Sequence, residues 1–110
     1  MQQLDKDTLK HWLGDPEVVI LDLRTTSEWE ASELKIEHAI HFDPRRPASA
    51  LARELPRNRK LVLYCINGET HCPTIGQELE KLGFSNVFIL EGGWKAWVGK
   101  EYPTVPRILS

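Results

Sequence analysis

Cys65 and Cys72 are the only cysteines in this 110-residue chain, separated by Ile66-Asn67-Gly68-Glu69-Thr70-His71. A cysteine attacks as its thiolate. Near neutral pH that form needs backbone N–H donors, a helix N-terminus or a cation beside the sulfur. The flanking residues offer the first two. Leu61-Val62-Leu63-Tyr64, just before Cys65, is a short apolar run of the kind that makes a strand buried on both faces. Beyond the loop, Pro73 suits the first position of a helix. Ile75, Leu79 and Leu82 then share one face, and Gly83 provides the stop. Cys65 is therefore expected at the carboxyl end of a buried strand, facing a helix N-terminus. That makes it a candidate nucleophile, against the bland reading of a small hydrophobe closing a strand.

Within the loop, the N–H groups from Ile66 through His71 form a candidate anion nest: Ile66, Asn67, Gly68, Glu69, Thr70 and His71. His71, when protonated, adds positive charge there. Cys72 reads first as an inert residue at the helix start. It could also act as a resolving thiol for Cys65 or as a second sulfur carrier; a disulfide would need the two Cα atoms within about 7 Å. His71 with Cys65, His38 or His41 matches no paired-ligand zinc spacing, so neither a metal nor a cofactor is expected.

Several elements must position this loop. Leu9, Trp12 and Leu13 fall on one side of a short helix expected across 4–14, with Asp5 or Asp7 as N-cap. Val18-Val19-Ile20-Leu21 is a buried strand running into Asp22-Leu23-Arg24. Asp22 and Arg24 point the same way from an extended chain, and an ion pair or helix cap outweighs direct catalysis for them. Thr26 or Ser27 caps a short helix through Ala31, and Ala39-Ile40-His41-Phe42 is a short strand. Ala50, Leu51 and Leu55 suggest a brief helix, and Arg45, Arg46, Arg57, Arg59 and Lys60 read as scattered surface charge. After the central helix come a strand, Asn86-Val87-Phe88-Ile89-Leu90, and a tight turn, Glu91-Gly92-Gly93. A short helix follows with Trp94 and Trp97 in the core, and 101–110 read as a partly ordered tail. Strands alternating with helices predict a parallel sheet covered on both faces.

Composition narrows the function. Hydrophobic residues make up 41% and charged ones 27%, which describes one ordinary folded domain. A net charge of -2 offers no basic field to nucleic acid or an anionic membrane. No apolar run approaches a membrane span, the polar start lacks a signal-peptide pattern, and two cysteines suit a reduced, cytoplasmic setting.

The order of these features resembles the rhodanese-type (thiosulfate sulfurtransferase) family. The resemblance rests on Val18-Val19-Ile20-Leu21-Asp22-Leu23-Arg24, Glu28-Trp29, Ile36-Glu37-His38-Ala39-Ile40 and the Cys65 strand and loop. It continues with Lys81-Leu82-Gly83-Phe84 and Val87-Phe88-Ile89-Leu90-Glu91-Gly92-Gly93-Trp94-Lys95-Ala96-Trp97. It implies an α/β rhodanese-like fold, a five-stranded parallel sheet flanked by helices on both faces, as a single domain over 1–110 with its core at about 4–103. It also implies a sulfurtransferase in which Cys65 accepts a sulfane sulfur as a persulfide. The donor would be thiosulfate or a persulfide; the acceptor would be cyanide, a thiol or a sulfur-relay protein. In two places the letters depart from the family pattern. Thr70 stands where an arginine is usual, and Lys35-Ile36-Glu37-His38-Ala39 stands where His-Ile-Pro-Gly-Ala is common. The alternatives are a non-catalytic binding or redox-sensing module using Cys65 and Cys72, and, last, oxyanion chemistry of the phosphatase or arsenate reductase kind. That chemistry normally wants a loop arginine, which this sequence lacks.

Overall fold

The computed structural model describes residues 1–109. Its strands, in chain order, are β1 (Gln2–Leu4), β2 (Val18–Asp22), β3 (Leu34–Ile36), β4 (Ile40–His41), β5 (Lys60–Tyr64), β6 (Val87–Leu90) and β7 (Thr104–Pro106). The helices are α1 (Lys6–Trp12), α2 (Thr26–Ala31), α3 (Ser49–Ala52), α4 (Cys72–Lys81) and α5 (Gly93–Gly99), followed by a 3-10 turn at Arg107–Leu109. Five strands form one parallel sheet in the order β1-β6-β5-β2-β4, with β5 at its centre. The antiparallel pair β3–β7 stands apart from it.

Side chains alternate along a strand, so β5 sorts its residues between two cores. Leu61, Leu63 and then Cys65 pack with Cys72, Ile75 and Leu79 of α4 and with Leu51 of α3. Val62 and Tyr64 pack on the other face with Leu9 of α1 and with Trp94 and Trp97 of α5. This is the α/β arrangement the alternation of elements predicts, with both faces covered.

Five local expectations change. Leu4 does not begin a helix; it closes β1, paired with Leu90, and Asp5 starts α1 by accepting the Thr8 N–H at 2.7 Å. The cap of α2 is Thr25, which forms a reciprocal capping box with Glu28. The strand expected at 39–42 shrinks to Ile40–His41. Leu82 leaves the buried face of α4, because Gly83 turns the chain at φ +100° and Phe84 fills the core, its N–H donating to the Leu79 carbonyl at 3.1 Å. Arg57 is not idle surface charge either; its guanidinium donates to the Ala52 carbonyl at 2.6 Å and, at the end of α4, to the Leu82 carbonyl at 3.1 Å.

The expected tail is also ordered where it is described. β7 pairs with β3, and Trp97 Nε1 donates to the Pro103 carbonyl at 2.9 Å. Arg107 Nε donates to the Ser32 carbonyl at 2.8 Å. A three-residue strand ending in proline carries no periodicity of its own; its partner strand defines it. Ser110, the end of that stretch, lies outside the described residues.

A buried polar knot ties the carboxyl ends of β2 and β5 together. Arg24 Nε lies 3.0 Å from Asp22 Oδ1 and Arg24 Nη2 2.7 Å from Oδ2, with both side chains wholly buried. Tyr64 donates its hydroxyl to Asp22 Oδ2 at 2.8 Å and accepts the Ile36 N–H at 3.2 Å. Removing the carboxylate by Asp22→Ala leaves the Arg24 guanidinium buried and unpaired, and should cost about 3–5 kcal/mol of stability. Tyr64→Phe removes one hydrogen bond onto that carboxylate and should cost about 1 kcal/mol. Urea unfolding midpoints read both variants; similar small losses would mean the pair is not needed for the fold.

Candidate active site

Cys65 follows directly on β5, at the carboxyl end of the sheet, and neighbouring turns hold its backbone. The Trp94 N–H donates to the Cys65 carbonyl at 2.9 Å and the Lys95 N–H to the Ile66 carbonyl at 3.1 Å, so the first turn of α5 grips the start of the loop. The grip needs glycine. A Cβ on Gly93 would sit 2.4 Å from the Cys65 carbonyl oxygen and 2.7 Å from the Gly68 nitrogen. Gly68, at φ +83°, meets the same turn from the other side; a Cβ there would lie 2.9 Å from the Leu90 carbonyl oxygen.

The loop then folds its last residues around the sulfur. The backbone N–H groups of Thr70, His71 and Cys72 and the Cys72 thiol gather around the Cys65 sulfur and favour its charged form. Three of these four donors come from the start of α4, the end of a helix that favours negative charge. The Cys72 thiol contributes most, the backbone donors add to it, and burial opposes them; the net effect lowers the Cys65 thiol to about 5. Cys72 is driven the other way. The neighbouring Cys65 sulfur, burial and the Asp22 carboxylate all keep it protonated. The two shifts run in opposite directions: the surroundings of Cys65 favour its thiolate and those of Cys72 its thiol.

The other loop residues are placed differently. The Glu69 N–H is spent within the loop, donating to Asn67 Oδ1 at 2.9 Å, and Thr70 Oγ1 lies 3.1 Å from the same atom. Asn67, Glu69 and Thr70 are exposed, Ile66 and His71 half-buried, and Gly68 buried. His71 is the N-cap of α4, with no side-chain capping bond. Cys65 itself has no exposed surface. Asp22 and Arg24 lie in the polar knot behind the loop, with the Arg24 guanidinium 4.4 Å from the centre of the Trp94 ring. Three participants were not singled out for the site from sequence. Tyr64 fixes Asp22, and Gly93 admits the loop backbone. Lys35 is buried, its amine donating to the Ala39 carbonyl, and burial lowers its pKa. The doubled glycine after β6 was the available signal for Gly93. Nothing near Lys35 in the sequence announces that an amine goes inside.

Known proteins place this geometry. A family model described as the rhodanese-like domain matches residues 5–100. A tRNA uridine(34) hydroxylase from Hamiltonella defensa is 28% identical over 95 residues, covering 84% of this chain and 26% of that protein. A probable adenylyltransferase/sulfurtransferase MoeZ from Mycobacterium tuberculosis is 29% identical over 96 residues, covering 86% of this chain and 24% of that protein. The chain thus spans about a quarter of the length of these curated relatives. Among solved structures, the Alr3790 protein from Anabaena has a TM-score of 0.82 at 27% identity, covering 96% of this chain and 82% of that one. SseA from Escherichia coli, described with the 3-mercaptopyruvate sulfotransferases, shares the fold at TM-score 0.80 and 20% identity, covering 94% of this chain and 50% of that one. With its family match running from α1 into α5 and its cysteine at the end of the central strand, the chain belongs to the rhodanese-like domain family.

Proposed function

We propose that this domain is a sulfurtransferase in which Cys65 accepts a sulfane sulfur as a persulfide and passes it to a thiophilic acceptor. The observation that carries this reading is the place of Cys65, directly after β5 and packed against the start of α4, where the neighbouring N–H groups and the Cys72 thiol favour the thiolate. In the first half-reaction that thiolate attacks the outer sulfur of a donor. The new sulfur–sulfur bond forms as the donor's own bond breaks, and the electron pair leaves on a thiolate from a persulfide donor, or on sulfite from thiosulfate. In the second half-reaction an acceptor thiolate or cyanide takes the outer sulfur and Cys65 departs. A thiol with a lowered pKa leaves faster, so the same donors serve both steps.

The donor set also bears on the substrate. Every group on the sulfur is a neutral dipole; the loop has no lysine or arginine and exposes Glu69. A thiosulfate dianion finds no countercharge in the loop, whereas a singly charged persulfide needs less. Small persulfides, or a protein cysteine persulfide, are therefore the preferred donors. Because Cys65 has no exposed surface, segment 66–71 must swing aside to admit any of them. The relatives include a hydroxylase as well as a sulfurtransferase, and the thiolate is what favours sulfur transfer here. A binding or redox module is the second reading, supported by that same burial and by the contact with Cys72. Among the described residues no helix is long and apolar enough to cross a membrane.

Intact-mass measurement of the reduced protein after incubation with glutathione persulfide should show a gain of one sulfur, removed by cyanide and missing in Cys65→Ser. Thiosulfate should load more slowly; no gain from either donor would sink the sulfurtransferase reading. A second expectation concerns pH. A lowered pKa keeps Cys65 deprotonated throughout the neutral range, so its ultraviolet thiolate absorbance should persist down to a midpoint near pH 5. In Cys72→Ala the largest donor is gone, and the midpoint should rise toward the free-thiol value of about 8.5. In Cys72→Ser the hydroxyl donates in its place and much of the lowering should return. An unshifted midpoint in Cys72→Ala would remove Cys72 from the thiolate's support.

A further inference from the structure

Transfer through Cys65 alone leaves the chemistry of a second thiol unused. Cys72 opens α4, has no exposed surface and belongs to the same packed cluster as Cys65. Its thiol lies beside the Cys65 sulfur in that cluster, close enough to be the largest single influence on it. While Cys65 is a bare thiolate, Cys72 stays protonated and is no nucleophile. A sulfur added to Cys65 changes both partners. The negative charge moves outward to the terminal sulfur, and the inner sulfur, now half of a sulfur–sulfur bond, can be attacked.

We propose that Cys72 is the resolving thiol of this loop, discharging the Cys65 persulfide as hydrosulfide and leaving a Cys65–Cys72 disulfide. The inference rests on the persulfide reading above. The Cys72 proton passes to the terminal sulfur and a bond forms between the two Sγ atoms. The bond from Cys65 to the terminal sulfur breaks, its electron pair leaving as HS⁻. Cys72 sulfur is oxidised and the terminal sulfur reduced, so no outside oxidant enters. An external thiol or dithiol then reopens the disulfide by exchange.

Placement decides which sulfur is attacked. Cys72 is packed in the same buried cluster as the inner sulfur of Cys65, and attack there releases sulfide; attack on the terminal sulfur would move it to Cys72 and release none. Burial decides the competition. An outside acceptor must first displace the loop over Cys65, whereas Cys72 is already in place. Sulfur is delivered when an acceptor opens the loop, and is otherwise released as sulfide while the pair closes.

The test loads the protein with glutathione persulfide, desalts it, and follows it without added thiol or cyanide by intact mass and by sulfide capture with monobromobimane. Wild type should lose the added sulfur, end two hydrogens lighter than the reduced protein and release about one equivalent of sulfide. Cys72→Ala and Cys72→Ser, checked for folding by circular dichroism, should keep the added sulfur and release sulfide at least about tenfold more slowly. Wild type that holds its persulfide unchanged, or variants that release sulfide equally fast, would overturn the proposal, as would sulfur mapped to Cys72. A parallel arm treats sulfur-free wild type with hydrogen peroxide, which should yield the Cys65–Cys72 disulfide. If that disulfide forms while a loaded protein stays loaded, the discharge fails and the persulfide reading survives. If no variant gains sulfur at all, both fail.

Discussion

The buried pair of Asp22 and Arg24 is the contact on which most of the site's surroundings converge. The Asp22 carboxylate accepts from Arg24 and from Tyr64, which joins β2 to β5 where the strands end. Arg24 reaches on to the Leu34 carbonyl at 3.0 Å, and Tyr64 takes the Ile36 N–H, which fastens the crossing segment β3 to the main sheet. The guanidinium also lies over Trp94, at the start of the helix that grips the Cys65 backbone. Two charges this far from water are stable only with their partners in place. The knot therefore tolerates few rearrangements, and it holds the end of β5 in one position relative to α5. Its chemistry is structural, yet without it the cysteine would have no defined address.

On that platform the surroundings of Cys65 favour its thiolate without a cation. Three backbone N–H groups and one thiol converge on Cys65, and the loop around them carries no positive side chain. Dipoles at contact distance in a buried site act strongly because little water screens them. They also differ from an arginine in what they leave behind. An arginine would hold a doubly charged oxyanion for its own sake; this nest stabilises charge on the sulfur itself and offers the incoming donor little. In the proposed transfer, substrate selection then passes to whatever opens the loop.

The same economy gives Cys72 two consequences. As a neighbouring thiol it lowers the pKa of Cys65, and in the proposed discharge its buried place in the same cluster lets it attack the loaded sulfur. The glycine pair after β6 has a comparable double duty, turning the chain out of the sheet and leaving room for the loop backbone at Gly93.

Much of this was legible in the order of residues. The apolar runs at 18–21, 61–64 and 87–90 determine buried strands because a four-residue run with no polar face can only be covered on both sides. Pro73 and Gly83 bracket α4 by backbone constraint alone, and Cys65 at the strand's end already marked the loop. What escaped were features whose cause lies elsewhere in the chain. β1 and β7 are short strands made by pairing with β6 and β3, which no local pattern encodes. Lys35 is buried only because β3 is folded inward, and Gly93 is obligatory only because residues 65–68 pass against it. The division of charge between Cys65 and Cys72 belongs to this group too. In sequence they are two equivalent thiols; only the folded loop, by gathering three N–H groups around one sulfur and burying the other among apolar side chains, favours the thiolate at Cys65 and the thiol at Cys72.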